Sequence, residues 1–108
     1  MDSRTRIARL LPELEVELRA RDLWSAHAPP PQALASTQPF CVDTLAFEQW
    51  LQFVFLPRVE ALLAAGAALP AGCAIAAMGE IRFTDRDHAA LIALLRAIDE
   101  AWCLPPSA

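Results

Sequence analysis

The side chains able to do chemistry in this sequence are few and scattered. Three cysteines (Cys41, Cys73, Cys103) and two histidines (His27, His88) are the candidates for metal ligation or nucleophilic attack. No two of the five stand at ligand spacing and there is no C-x-x-C pair, so no metal site is expected. Free thiols of a protein in the reducing cytoplasm account for the cysteines better. Cys73 with His88 is the one nucleophile–base pairing on offer, and nothing in the sequence orients it. The three glycines, Gly66, Gly72 and Gly79, stand apart and make no phosphate-cradling loop. Acidic residues are spread over faces that should be solvated, which leaves two-carboxylate acid–base chemistry without support. No catalytic residue, cofactor or metal is assigned, and a non-enzymatic role is expected.

One charged residue sits in an odd place. On a regular helical wheel Arg58 shares a face with Phe47, Leu51, Val54 and Leu62. A guanidinium in such company needs a carboxylate, and Asp99 or Glu80 is the expected partner. Breaking a buried pair of that kind should cost roughly 3 kcal/mol. The opposite face carries a second anomaly: Leu56, Val59 and Leu63 fall among Glu48, Gln49, Gln52 and Glu60. Either the first helix or the long loop covers them, or they form an exposed patch for a protein partner.

Composition frames these candidates. With 108 residues, one domain spanning 1–108 is expected, and 56% hydrophobic content excludes a disordered chain. A chain of this size buries roughly two thirds of its unfolded surface, enough to fold without metal or disulfide. Nine basic residues, all arginine, face thirteen acidic ones, for a net charge of −4. Such a balance offers no bulk field for a phosphate backbone, so DNA binding is not expected and RNA binding is disfavoured. The local exception is Arg4, Arg6 and Arg9 near the N-terminus. Charges throughout the first seventeen residues argue against a secretory signal. Residues 61–79 carry no charge, but their Ala, Gly and Pro70 content and lack of aromatic anchors argue against a membrane span.

The elements follow from periodicity. Ile7, Leu10, Leu11, Leu14 and Leu18 form one stripe of a first helix from about Ser3 to Leu23, with a kink expected at Pro12. Residues 25–42 hold four prolines and no usable period, which makes a long loop whose second half packs on the body. A central helix should begin at Asp43-Thr44, both good caps, and end at Gly66, with an interruption at Pro57. A turn at Leu69-Pro70-Ala71-Gly72 leads to a short helix over Ala74 to Phe83. The last helix should start at Thr84, with Asp87 completing a capping box, and bury Leu91, Leu95, Ile98 and Trp102. The sum is all-α: an antiparallel up-and-down bundle of three long helices plus a short one, with a long ordered loop after the first.

Within that frame one run is distinctive. Ser36-Thr37-Gln38-Pro39-Phe40, then Asp43-Thr44, Trp50-Leu51-Gln52 and Pro57-Arg58, resemble the run that marks the YqcC-like family. Leu69-Pro70, Ala74-Ile75-Ala76, Glu80 and Asp99 extend the similarity over nearly the whole chain, and Trp24 supplies the family's aromatic before the loop. The resemblance implies a small all-helical bacterial protein without an established activity, often encoded beside a tRNA pseudouridine synthase. It carries over no catalytic residue. The expected function is therefore an interaction module in the cytoplasm, with a protein partner such as that synthase or a second copy of itself. The alternative is a binder of a small anion or RNA through Arg58 or the N-terminal arginines. Residues 36–44 are expected to lie ordered on the central helix, with Phe40 beside Trp50, Gln38 outward, and Asp43 or Thr44 capping.

Overall fold

A computed structural model describes residues 3–67, 74–84 and 88–102. The expected turn at 69–72, the Asp87 half of the capping box, Cys73 and Cys103 lie outside these residues. All regular structure among the described residues is helical, as the sequence implied. Helix α1 spans Ser3–Ala20, α2 is a single turn at Pro31–Leu34, and a 3₁₀ turn follows at Pro39–Cys41. The central helix is α3 (Phe47–Trp50), a π-helical stretch (Leu51–Phe55) and α4 (Leu56–Ala65) run together. Helix α5 spans Ile75–Arg82 and α6 spans Ala89–Trp102.

Helix α1 buries four of the five residues of the predicted stripe: Ile7, Leu14 and Leu18 are fully enclosed and Leu11 almost so, while Leu10 lies half-buried at its edge. Its main neighbour is α6, whose Leu91, Leu95 and Ile98 are likewise enclosed; Trp102, expected in that stripe, is only half-buried, and Ala101 holds the enclosed place. Each such aliphatic side chain contributes roughly 1.5–3 kcal/mol by leaving water, so this pair of stripes is the backbone of the core. Helix α1 stays one element through Pro12, which lies on the exposed side, away from that stripe. It stops earlier than periodicity suggested. Asp22 takes a left-handed conformation (φ 57°), and the Leu23 N–H closes onto the Leu18 carbonyl at 2.9 Å.

The central helix departs from expectation in its interior. Pro57 does not interrupt it. Pro57 has no N–H for the Phe53 carbonyl, and the chain widens just before it, the Leu56 N–H reaching back five residues to Leu51. The extra residue per turn moves every later side chain around the axis. Phe47, Leu51, Phe55 and Val59 therefore share the buried face, at intervals of four. Leu56 and Val59 are core residues and Leu63 packs against the core, so the anomalous apolar trio is covered rather than exposed.

The helix ends at Gly66 as predicted. Its φ of 66° lets the Ala67 N–H reach the Leu62 carbonyl at 3.0 Å. Helix α5 lies so close to α6 that a Cβ at Gly79 would stand 2.5 Å from a Leu95 methyl. Only glycine fits that crossing without a shift of the core. No helix among the described residues is long and apolar enough to cross a membrane.

Candidate interaction surface

The segment 36–44 is built by three side-chain clips. Ser36 Oγ donates to the Asp43 carboxylate, and accepts from the Gln38 N–H at 3.1 Å. Thr44 Oγ1 donates to the Ala33 carbonyl at 2.7 Å, tying the loop to α2. Pro39–Cys41 then turns tightly, with both Phe40 (φ 57°) and Cys41 (φ 50°) left-handed. A bulky side chain in that region is rare and costs on the order of 1 kcal/mol or more.

Packing of the aromatic ring offsets that cost. Phe40 meets Trp50 edge-on at 4.8 Å and Phe47 at 6.0 Å, as expected for the first pair. Trp50 continues to Phe55 at 5.5 Å, and Phe55 to Trp102 of α6 at 6.1 Å. An aromatic chain thus runs from the loop through the central helix to the last helix. With Phe40 turned inward, Thr37, Gln38 and Pro39 are held outward and exposed.

The capping expectation is corrected. Asp43 and Thr44 are used inside the loop, and the helix begins later, at Ala46, whose N–H donates to Gln49 Oε1 at 2.9 Å. Tertiary hydrogen bonds to Ser36 and Ala33 outcompete the cap role of these side chains.

Arg58 is also corrected. It is exposed, with no polar partner among the described residues. The π-helical stretch turns it off the face where a regular wheel put it, and Val59 takes that place. Its two expected partners have other tasks. Asp99 accepts the Ile75 and Ala76 N–H groups at 3.0 and 2.9 Å, so α6 caps the start of α5. Glu80 accepts from Arg96 Nε at 2.9 Å on the surface.

Three positioning roles escaped sequence reasoning, although Gln52 itself stands in the run that carries the family resemblance. Arg4 lays its guanidinium over the end of α4, donating to the carbonyls of Ala67, Leu62 (3.3 Å) and Leu63 (3.5 Å). One of the three N-terminal arginines is therefore committed to the fold, while Arg6 and Arg9 remain exposed. Glu48, largely buried, holds Arg82 of α5 in a two-point contact at 3.1 and 2.9 Å. Buried Gln52 gives both amide atoms to the Ser25 backbone, at 2.7 and 2.9 Å. An acid and an amide one turn apart beside Phe47 and Leu51 were the available signal for these two.

Cys41 is a buried free thiol. The described residues contain no cluster of three His, Cys, Asp or Glu able to hold a metal. His88 stacks on Phe83 with 5.1 Å between ring centres.

The sequence pattern of the family DUF446, described as "tRNA pseudouridine synthase C", matches residues 6–101. An uncharacterized protein of Haemophilus influenzae is 43% identical over 65 residues, which are 60% of this chain and 61% of that one. A protein of Pectobacterium carotovorum named tRNA pseudouridine synthase C is 41% identical over 70 residues, 65% of this chain but 19% of the relative. This chain therefore matches less than two thirds of either relative's length. Uncharacterized protein YqcC of Escherichia coli is 38% identical over 93 residues, 85% of each chain. Its solution NMR structure superposes with a TM-score of 0.85 at 32% identity, covering 100% of this chain and 94% of that one. Pattern, sequence and fold agree: the chain belongs to the DUF446 family and is a homologue of YqcC.

Proposed function

We propose that this protein is a non-enzymatic accessory module that binds a tRNA pseudouridine synthase. One observation carries the reading. In the Pectobacterium relative named for that activity, the matched stretch is joined to the four fifths of the chain that this protein does not resemble. A helical unit that travels with a larger remainder in one chain is suited to bind the same remainder as a separate surface. The outward display of Thr37, Gln38 and Pro39 on a strained, clipped loop supports it, since such strain is kept where geometry matters more than stability. The reading carries a cytoplasmic location.

The test is titration of the full chain with the tRNA pseudouridine synthase C of the same organism, by calorimetry, at two salt concentrations. A saturable complex is expected, with modest salt dependence. Gln38→Ala should weaken it and leave the melting temperature unchanged, because the Gln38 side chain is exposed and the hydrogen bonds of this residue are made by its backbone. Absence of a complex overturns the partnership. Steeply salt-dependent binding of the chain to tRNA alone would favour the alternative, contact through Arg58, Arg6 and Arg9.

A further inference from the structure

The seam between α1 and α6 opens on its outer side into a groove of about 590 Å³. Leu10 and Val16 of α1 and Ala93 and Leu94 of α6 give it an apolar lining, and Val16 is 63% exposed. The charged residues that line it are Glu13 and Glu17, and no arginine does. Glu17 is shared with Arg21 at 3.0 Å, while Glu13 has no ion-pair partner among the described residues. Val16 is the exposed large hydrophobic residue of α1. It serves neither the core nor the aromatic chain.

We infer that this groove is a docking site for an amphipathic helix bearing arginine or lysine beside bulky apolar side chains, supplied by the synthase. The inference rests on the proposed partnership and adds to the 36–44 loop a second contact surface, with its chemistry. Shape argues for a helix. Small-molecule sites enclose most of their ligand, whereas this trough is open along one side and flanked by two helices, as in helix-in-groove recognition. The small Ala93 lets a third helix approach closely, and Leu10, Val16 and Leu94 are anchors for its apolar side chains.

Charge selects the occupant. Glu13, the rim carboxylate without an ion-pair partner among the described residues, favours a basic segment, and an enzyme that handles tRNA must present basic surface. A second copy of this chain is disfavoured by the same terms. Two acidic rims would face one another, in a protein that already carries −4.

The experiment uses amide chemical-shift mapping of the isotope-labelled full chain with two probes. One is the intact synthase; the other is a synthetic 14-residue amphipathic helix of leucine and arginine, with a leucine and glutamate helix as control. Three variants are compared: Ala93→Arg, which fills the groove from an exposed position, Glu13→Lys, and Arg58→Ala as a remote control. Shifts at Leu10, Val16, Ala93 and Leu94 are expected with the synthase and the arginine peptide, and not with the glutamate peptide. Ala93→Arg and Glu13→Lys should each weaken both complexes at least tenfold, with melting curves unchanged.

Synthase binding that is indifferent to both groove variants overturns the docking site and leaves the partnership standing. Binding of the arginine peptide without the synthase keeps the groove's chemistry and removes the synthase as its source. Failure of both probes overturns both proposals. A dimer of the free chain in light scattering that Ala93→Arg dissolves makes a second copy the occupant and overturns the basic-helix assignment.

Discussion

Asp99 and Arg58 show how far apart two charged residues can be in consequence. Asp99 satisfies two N–H groups at the start of α5, where Ala74 offers no side-chain cap. Replacing it with alanine leaves both donors without their partner. The expected loss is about 2 kcal/mol, from the usual worth of a cap and of hydrogen bonds to a charged group. In a domain of this size that lowers the melting temperature by roughly 10 °C. Asp99→Asn keeps one carbonyl acceptor and should lose about half as much. Arg58→Ala should change stability by less than about 0.5 kcal/mol, since the side chain is exposed and unpaired. Urea denaturation of the three variants checks the ordering, and a large loss for Arg58→Ala would restore the buried clamp.

The helices divide into those that periodicity reads and one that it misreads. Helices α1 and α6 follow a regular repeat, so Ile7, Leu14, Leu18, Leu91, Leu95 and Ile98 were legible as core from spacing alone. The central helix was legible as a helix, and its Gly66 stop was read correctly. Its faces were not, because a wheel of fixed period cannot register the extra residue of the π-helical stretch before Pro57. The loop's Phe40–Trp50 contact was recovered from the resemblance and from Pro39. The roles of Arg4, Asp99, Gln52 and Asp43 were hidden, because each bonds to backbone or side chains that only the tertiary fold brings near. The two left-handed helix ends give a paired test. Asp22→Gly should raise stability by roughly 0.5–1 kcal/mol, since glycine adopts that conformation freely. Gly66→Ala should lower it by about 1 kcal/mol, with no clash contributing, because a Cβ there meets nothing within 4 Å. Thermal melts with opposite signs confirm that backbone conformation sets both ends.

At the scale of the whole molecule the order of local stability follows burial. Helix α2 has no buried residue, whereas α1 and α6 are each other's main neighbour and bury four residues apiece. Amides of α1 and α6 should therefore exchange slowest, near the global limit, and those of residues 33–35 fastest. Uniform protection across the chain would contradict that hierarchy. The pairing of the first helix with the last has a further meaning for synthesis on the ribosome. Helix α1 packs chiefly on α6, so a nascent chain carries the apolar face of α1 without its main partner until residues 89–102 are made. At ordinary elongation rates that interval is on the order of seconds, far longer than helix formation itself. The growing chain should therefore be open to holdase chaperones until α6 emerges. A stalled chain ending at Thr84 should be cut by protease within α1, and one that exposes α6 outside the tunnel should resist.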